Sequence, residues 1–252
     1  MKVSVITVVF NGCSTIKDTI TGVLNQTYKD IEYIIIDGGS TDSTMDIVDK
    51  YKDRISKIVS EPDKGLYDAM NKGIKLATGD IIGFLNSDDV FANDFVVESV
   101  VNKINETKSD LCYSDLLYVD KYNLDKVIRC WKSGIYKEGS FKYGWMPPHP
   151  TVYIKRWVYE KYGVFDLSLP MASDFEILFR FMETYKIKSC YVSSVLVKMR
   201  LGGVSNKSIS NIIKQNLVIM GILKKNKIKI SPFFLLIKMI EKLKQFRGMN
   251  VE

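Results

Sequence analysis

The 252 residues include one histidine, His149, and four scattered cysteines, Cys13, Cys112, Cys130 and Cys190, with no CxxC pair. That scarcity argues against a disulfide framework or a structural zinc site and leaves buried thiols as the simpler reading. No apolar run approaches the ~20 residues of a spanning helix. The opening MKVSVITVVFNG has too short an apolar stretch for a signal peptide and lacks a small-residue cleavage site. A mature cytosolic chain is therefore expected. Neither GxGxxG nor GxxxxGK(S/T) occurs, so a dinucleotide fold and a P-loop are unsupported. Apolar residues at 46% and charged residues at 26% exclude a disordered or collagen-like chain. The length allows one large domain or two small ones with a substantial core.

The formal charge of +7 is unevenly spread. Residues 201–252 hold ten Lys or Arg against two acids, whereas the first 200 hold 26 basic and 27 acidic residues. A neutral body with a basic tail implies an anionic partner for the tail, such as a membrane surface, nucleic acid or an acidic protein.

The first 120 residues alternate between strand-like and helix-like segments. Lys2–Phe10, Glu32–Asp37, Ile55–Ser60 and Ile81–Leu85 read as strands with apolar residues on both faces. Between them lie a helix through Ile16, Ile20, Val23 and Leu24 with Ser14 as its cap, one through Met45 and Val48, and one over Leu66–Ala77. Val97, Val100, Val101 and Ile104 mark a fourth helix. This pattern predicts an α/β fold, a mostly parallel sheet covered by helices, with ligands beyond the carboxyl ends of the strands. Asn11-Gly12, Asp37–Asp42, Asp63-Lys64 and Asn86–Asp89 all follow strands and should meet at one edge. Farther on, Asp110–Val119 and Lys126–Trp131 suggest a hairpin-like pair. Lys132–Pro150 reads as a loop, Asp174–Tyr185 as a helix and Lys188–Val197 as a last strand.

Adjacent acids at the end of a buried strand, Asp88 and Asp89, are costly unless something positive sits beside them. Mg²⁺ or Mn²⁺ held by one or two carboxylates, water and substrate phosphates fits. An Asp-rich turn fits equally. Asp37-Gly38-Gly39-Ser40-Thr41-Asp42 offers close backbone approach and an acid that could accept from a base or ribose, or it is a plain turn into a helix. Asp174 reads as a helix cap or a catalyst. His149, between two prolines, can be structural or contact a metal or substrate.

In order, ITVVFNG, IIIDGGSTDST, EPDKGLYDAMNKGIKLATGD, IIGFLNSDD and SDFEILFR resemble the family 2 glycosyltransferases and their GT-A, Rossmann-like fold. The likeness covers Lys2 to about Ser205, so residues 1–205 are read as the catalytic domain and 206–252 as a basic helical tail. GLYDAMNKGI, ATGDIIGFLNSDD and the late LGGVS are similar to bacterial enzymes of O-antigen, capsule and exopolysaccharide synthesis. The resemblance implies that Asp37 contacts the nucleotide base and that Thr7, Phe10 and Asn11 lie against the nucleoside. Asp63, Lys64 and Gly65 would lie near the donor phosphates and sugar. Asp88 and Asp89 match the metal and ribose motif, but Asn86 stands where the first acid of that motif is usual. Asp89 is then the preferred metal ligand, with Asp88 on the ribose or on the metal. Asp174 matches the general base, with Ser173 in place of a frequent Glu, and His149 matches an added metal or phosphate ligand of some relatives.

The implied reaction is inverting, Mn²⁺- or Mg²⁺-dependent transfer from a nucleotide sugar to a saccharide hydroxyl. The donor would be a UDP-linked hexose or N-acetylhexosamine, and the acceptor polyprenyl-diphosphate-linked. The basic tail, through Pro232–Phe246, would hold the enzyme on the cytoplasmic face of the plasma membrane, or else pack on the catalytic domain or a second subunit. Nucleic acid is not expected, because basic charge without a motif is weak evidence. A nucleotidyltransferase, which usually has a glycine-rich basic start, and a non-enzymatic binding module on the same fold are the alternatives. A glycoside hydrolase would need no nucleotide-binding edge.

Overall fold

The structure is a computed structural model describing residues 1–169, 171–202, 209–231 and 233–247. Its elements begin with β1 (Val3–Val9), α1 (Ile16–Leu24), β2 (Ile31–Asp37), α2 (Thr44–Asp49), β3 (Lys57–Ser60) and α3 (Leu66–Leu76). There follow β4 (Ile81–Phe84), β5 (Asp89–Phe91), α4 (Val96–Thr107), β6 (Leu111–Val119), β7 (Val127–Trp131) and β8 (Tyr153–Lys155). The chain continues with α5 (Arg156–Tyr162), α6 (Ser173–Phe179), β9 (Ser189–Arg200), α7 (Ile209–Lys225) and α8 (Phe234–Arg247). One sheet runs in the order β3-β2-β1-β4-β8-β6-β9-β5, with β7 paired on β6.

The expected parallel core is there: β1 pairs in parallel with β2 and β4, and β2 with β3. Every residue of β1 is buried. Because side chains alternate across a strand, Ile6 and Val8 join one apolar layer with α3 and α6, while Val3, Val5 and Val9 join the other with α1 and α4. The second half departs from the parallel pattern. β8 is antiparallel to both β4 and β6, and β7 is antiparallel to β6, which realises the expected hairpin-like pair. Gly83 makes the β4–β8 pairing possible: a Cβ there would stand 2.3 Å from the Tyr153 ring. Strands β5 and β8, three residues each, and the seven-residue α5 were not predicted. Segments so short carry no readable periodicity. The expected cap at Ser14 is corrected: α1 starts after Thr15, and no side chain caps it.

The tail shares the body's core. Ile219, Ile222 and Leu223 of α7 and Phe234 of α8 are buried in the same cluster as Ile6 and Phe84. No helix among the described residues is long and apolar enough to cross a membrane. The LGGVS run past Gly202, with residue 205 where the catalytic domain was expected to end, lies outside the described residues, as do Pro232 and residues 248–252.

At the edge of the sheet where β1 begins, Glu32 is 4% exposed. It accepts hydrogen bonds from Ser4 Oγ at 2.6 Å, Thr78 N at 2.7 Å and Thr78 Oγ1 at 2.7 Å. Lys2 and Lys57 each approach it at 3.4 Å. Burial by itself would raise this carboxyl, but the bonds from Ser4 and Thr78 and the charge of Lys57 overcome it and hold the group at about 2. A carboxylate depressed in the folded state stabilises it above the ordinary carboxyl range, here by about 3 kcal/mol. That contribution is lost as pH falls from about 4.5 to about 2. Glu32→Gln should therefore lower stability at pH 7 and flatten its decline across this acid window, as read from urea unfolding midpoints between pH 2 and 7.

Candidate active site

The parallel strands deliver their following loops to one edge, as expected from the sequence. At the end of β1, Phe10 is 63% exposed. Asn11 follows at φ +52, a left-handed conformation that asparagine tolerates. Its side-chain oxygen accepts from Thr41 N at 2.9 Å, and its own amide donates to Ser40 Oγ at 2.7 Å. Asn11 thus ties the first loop to the second. Gly38 lies beneath Asp63 and Phe10: a Cβ at residue 38 would meet Asp63 Oδ2 at 2.4 Å and Phe10 Cδ2 at 3.5 Å. Phe10, Gly38 and Asp63 therefore lie against one another, and a side chain at residue 38 would displace the Asp63 carboxylate. Asp63 also accepts from Gly65 N at 2.7 Å, and Lys64 is exposed beside it.

Two residues expected at the nucleoside face inward. Thr7 is fully buried, its hydroxyl 3.1 Å from that of Tyr33. Asp37 is fully buried and organises its own turn, accepting from Ser40 N at 3.0 Å, Gly39 N at 3.2 Å and Ser60 Oγ at 2.7 Å. The Ser40 hydroxyl donates to it as well.

The acidic turn after β4 adjoins the first loop, since a Cβ on Gly12 would stand 3.3 Å from Ser87 Oγ. Asp89 is fully buried at the start of β5. Its Oδ2 accepts from Asn86 Nδ2 at 3.3 Å, while Asp89 Oδ1 and Asn86 Oδ1 are buried without a partner. Burial, and then the charge of Asp88, push the Asp89 carboxyl well above its usual range, and burial raises Asp88. Orphaned oxygens of this kind are expensive in a protein interior.

A divalent cation is implied by the resemblance, and this donor set fits one. The oxygens are hard donors, the carboxylates are adjacent, and a cation would reverse the penalty on both. No group of three or more His, Cys, Asp or Glu among the described residues could hold a metal ion unaided. Such a cation would draw its remaining ligands from water and phosphate, as Mg²⁺ commonly does.

Asp174 is the second residue of α6, and the cap position belongs to Ala172, so it is not a helix cap. Its Oδ1 accepts from the Tyr67 hydroxyl at 3.2 Å and from Phe175 N at 2.9 Å. Burial, then the charge of Asp174, push the Tyr67 hydroxyl up, which keeps it protonated as a donor. The His149 ring packs against Phe84 and Phe165, with centroids at 5.7 and 5.5 Å. Burial lowers this imidazole, while the charge of Asp174 pulls it the other way. Phe165 in turn stacks on Tyr67 at 5.4 Å. Asp174, Tyr67 and His149 are thus joined in one group. Phe84 connects it to the acidic turn, which begins two residues later. Nothing in the sequence singled out Tyr67, whose hydroxyl partner is 107 residues away.

The comparisons agree with this geometry. A family model described as "Glycosyl transferase family 2" matches residues 4–179. The chain is 30% identical over 227 residues to the Escherichia coli protein named UDP-Glc:alpha-D-GlcNAc-diphosphoundecaprenol beta-1,3-glucosyltransferase WfaP, covering 87% of this chain and 86% of that one. It is 26% identical to a PGL/p-HBAD biosynthesis glycosyltransferase of Mycobacterium bovis, covering 81% and 78%. Among solved structures, S. aureus TarS 1-349 in complex with UDP-GlcNAc superposes with a TM-score of 0.67 at 18% identity, over 88% of this chain and 66% of that one. Mannosyltransferase PcManGT from Pyrobaculum calidifontis, in complex with GDP-Man and Mn2+, gives 0.64 at 16% identity, over 96% and 69%. The fold is the GT-A fold expected from the sequence, and the chain belongs to glycosyl transferase family 2.

Proposed function

We propose that this glycosyltransferase moves a hexose or N-acetylhexosamine from a UDP-sugar to a hydroxyl of a lipid-linked saccharide, with inversion at the anomeric carbon. The observation that carries the reading is the acidic turn: Asp89 Oδ1 and Asn86 Oδ1 lie buried and unpartnered at the strand edge shared with Phe10, Asp63 and Asp174. The name of the Escherichia coli relative, with its UDP-Glc donor, diphosphoundecaprenol acceptor and β-linkage, supports the substrate class. UDP-GlcNAc in TarS supports the nucleotide, and Mn2+ in the mannosyltransferase supports a divalent ion.

In this reading the base and ribose lie along the surface of Phe10, Gly38 and Asp63, with the diphosphate toward Asp88 and Asp89. Asp37 acts on the nucleoside through the turn it organises, and Thr7 supports β1 from within. Lys64 and Gly65 border the donor sugar. A bound Mn²⁺ or Mg²⁺, held by Asp89 with Asp88 and completed by water and phosphate, would offset charge developing on the leaving diphosphate, while His149 stays in the ring cluster beside Asp174. Asp174 accepts the proton of the attacking hydroxyl. Tyr67 keeps the carboxylate oriented by occupying its Oδ1. In-line attack on an α-linked donor then gives a β-linked product without a covalent enzyme intermediate.

The tail completes the proposal. Leu236, Met239, Ile240, Leu243 and Phe246 of α8 are all exposed and recur at helical spacing. An apolar face in a strongly basic segment suits an anionic lipid surface, where a lipid-linked acceptor would be met and the enzyme held on the cytoplasmic face of the membrane.

Asp174→Asn should lower the rate of UDP release in the presence of acceptor by at least about a hundredfold, with UDP affinity unchanged by calorimetry. An active variant would remove Asp174 as the base. Asp89→Ala should weaken UDP binding roughly tenfold when Mn²⁺ is present and leave it unaltered with chelator. Equal binding with Mn²⁺ would move the ligand elsewhere. Truncating α8 would also strip out Phe234, which is 1% exposed. The surface variant Leu236→Glu with Leu243→Glu is cleaner. It should abolish co-sedimentation with phosphatidylglycerol vesicles and preserve the thermal midpoint.

A further inference from the structure

Arg200 closes β9 on the far side of the sheet from β1, and it is 6% exposed. Its guanidinium reaches three other segments. Nη1 donates to the backbone oxygen of Asp88 at 2.8 Å, Nε to that of Lys121 at 3.2 Å, and Nη2 to the carboxylate of Asp18 on α1. Beside Asp18, the buried Thr19 hydroxyl lies 2.7 Å from the Asp89 oxygen and 3.0 Å from the Ser87 oxygen. The backbone oxygens of Asp88 and Asp89 are therefore held from β9 and α1.

We propose that Arg200 is a positioning residue: it clamps the acidic turn by its backbone and so sets the direction of the Asp88 and Asp89 carboxylates. The link to catalysis rests on the glycosyl-transfer reading above. A planar fork can satisfy acceptors on three segments at once, which a single ammonium cannot. The cation is spent on one backbone oxygen, a second from the β6–β7 loop and a half-exposed acid, so it holds the turn without bonding to either carboxylate. Asp88 and Asp89 stay open for a ligand while their backbone is fixed. Asp18 completes the clamp by fixing the guanidinium from α1.

Two variants test this, since Arg200→Lys removes a buried group whereas Asp18→Asn changes only a half-exposed one. Hydrogen exchange measured by mass spectrometry on the full chain should rise about tenfold in residues 86–91 of both variants, with β1 and β6 unchanged. Metal-dependent UDP affinity should fall about tenfold, while affinity measured with chelator holds, a split that a general loss of structure would not give. Parent-like exchange in residues 86–91 of both variants, or exchange raised equally across β1 and β6, overturns the clamp. If exchange rises locally as expected but the parent itself shows no metal-dependent UDP binding, the clamp stands and the glycosyl-transfer reading falls.

Discussion

Everything at the site depends on β1 being buried along its whole length between two parallel neighbours. A strand in that position must be apolar on both faces. Val9 pairs with Asp37, so the chain leaves β1 and β2 at one level, while β4 ends three residues earlier, opposite Ile6. The polar loops have nowhere else to go. Helices α1 and α3 then seal the two faces and leave only the edge open to a ligand.

That edge is polar, and the ways its groups are satisfied divide its residues by role. Asp37 and Asn11 spend their oxygens on backbone amides of the neighbouring turn. They hold shape. Asp89 and Asn86 keep oxygens in reserve, buried and without a partner. Buried oxygens left so need an explanation, and the cation proposed above supplies one. Asp174 stands between these cases, with Oδ1 engaged by Tyr67 and the Phe175 amide.

The alternating strands and helices of the first 90 residues were legible because each segment is long enough to show a period, and each is followed by a polar loop. Asp63, Asp88 and Asp89 could be singled out because acids after a buried strand are conspicuous, Asp174 as an acid at a helix start, and Phe10 through the family resemblance. The inward turn of Thr7 and Asp37 was not legible, since a residue type carries no record of which way it points. Tyr67, Thr19 and Arg200 were missed for a related reason. Each looks ordinary in its own segment, and each acts through a partner distant in sequence, 182 residues away for Arg200 and Asp18. Strands of three residues likewise gain their identity from Tyr153 fitting over Gly83, a relation between segments.

The knot around Glu32 sits at the edge where β1 begins. Ser4, Thr78, Lys2 and Lys57 converge there, and the Gly79 amide reaches Ser4 Oγ at 2.9 Å. This lock draws on none of the loops that face a ligand. Rigidity and chemistry are therefore housed at opposite ends of the same strands. The loops after β1, β2 and β3 can therefore change without disturbing what keeps the sheet closed. For a designer, the Glu32 end is the part to copy unaltered and the other end is the part to vary.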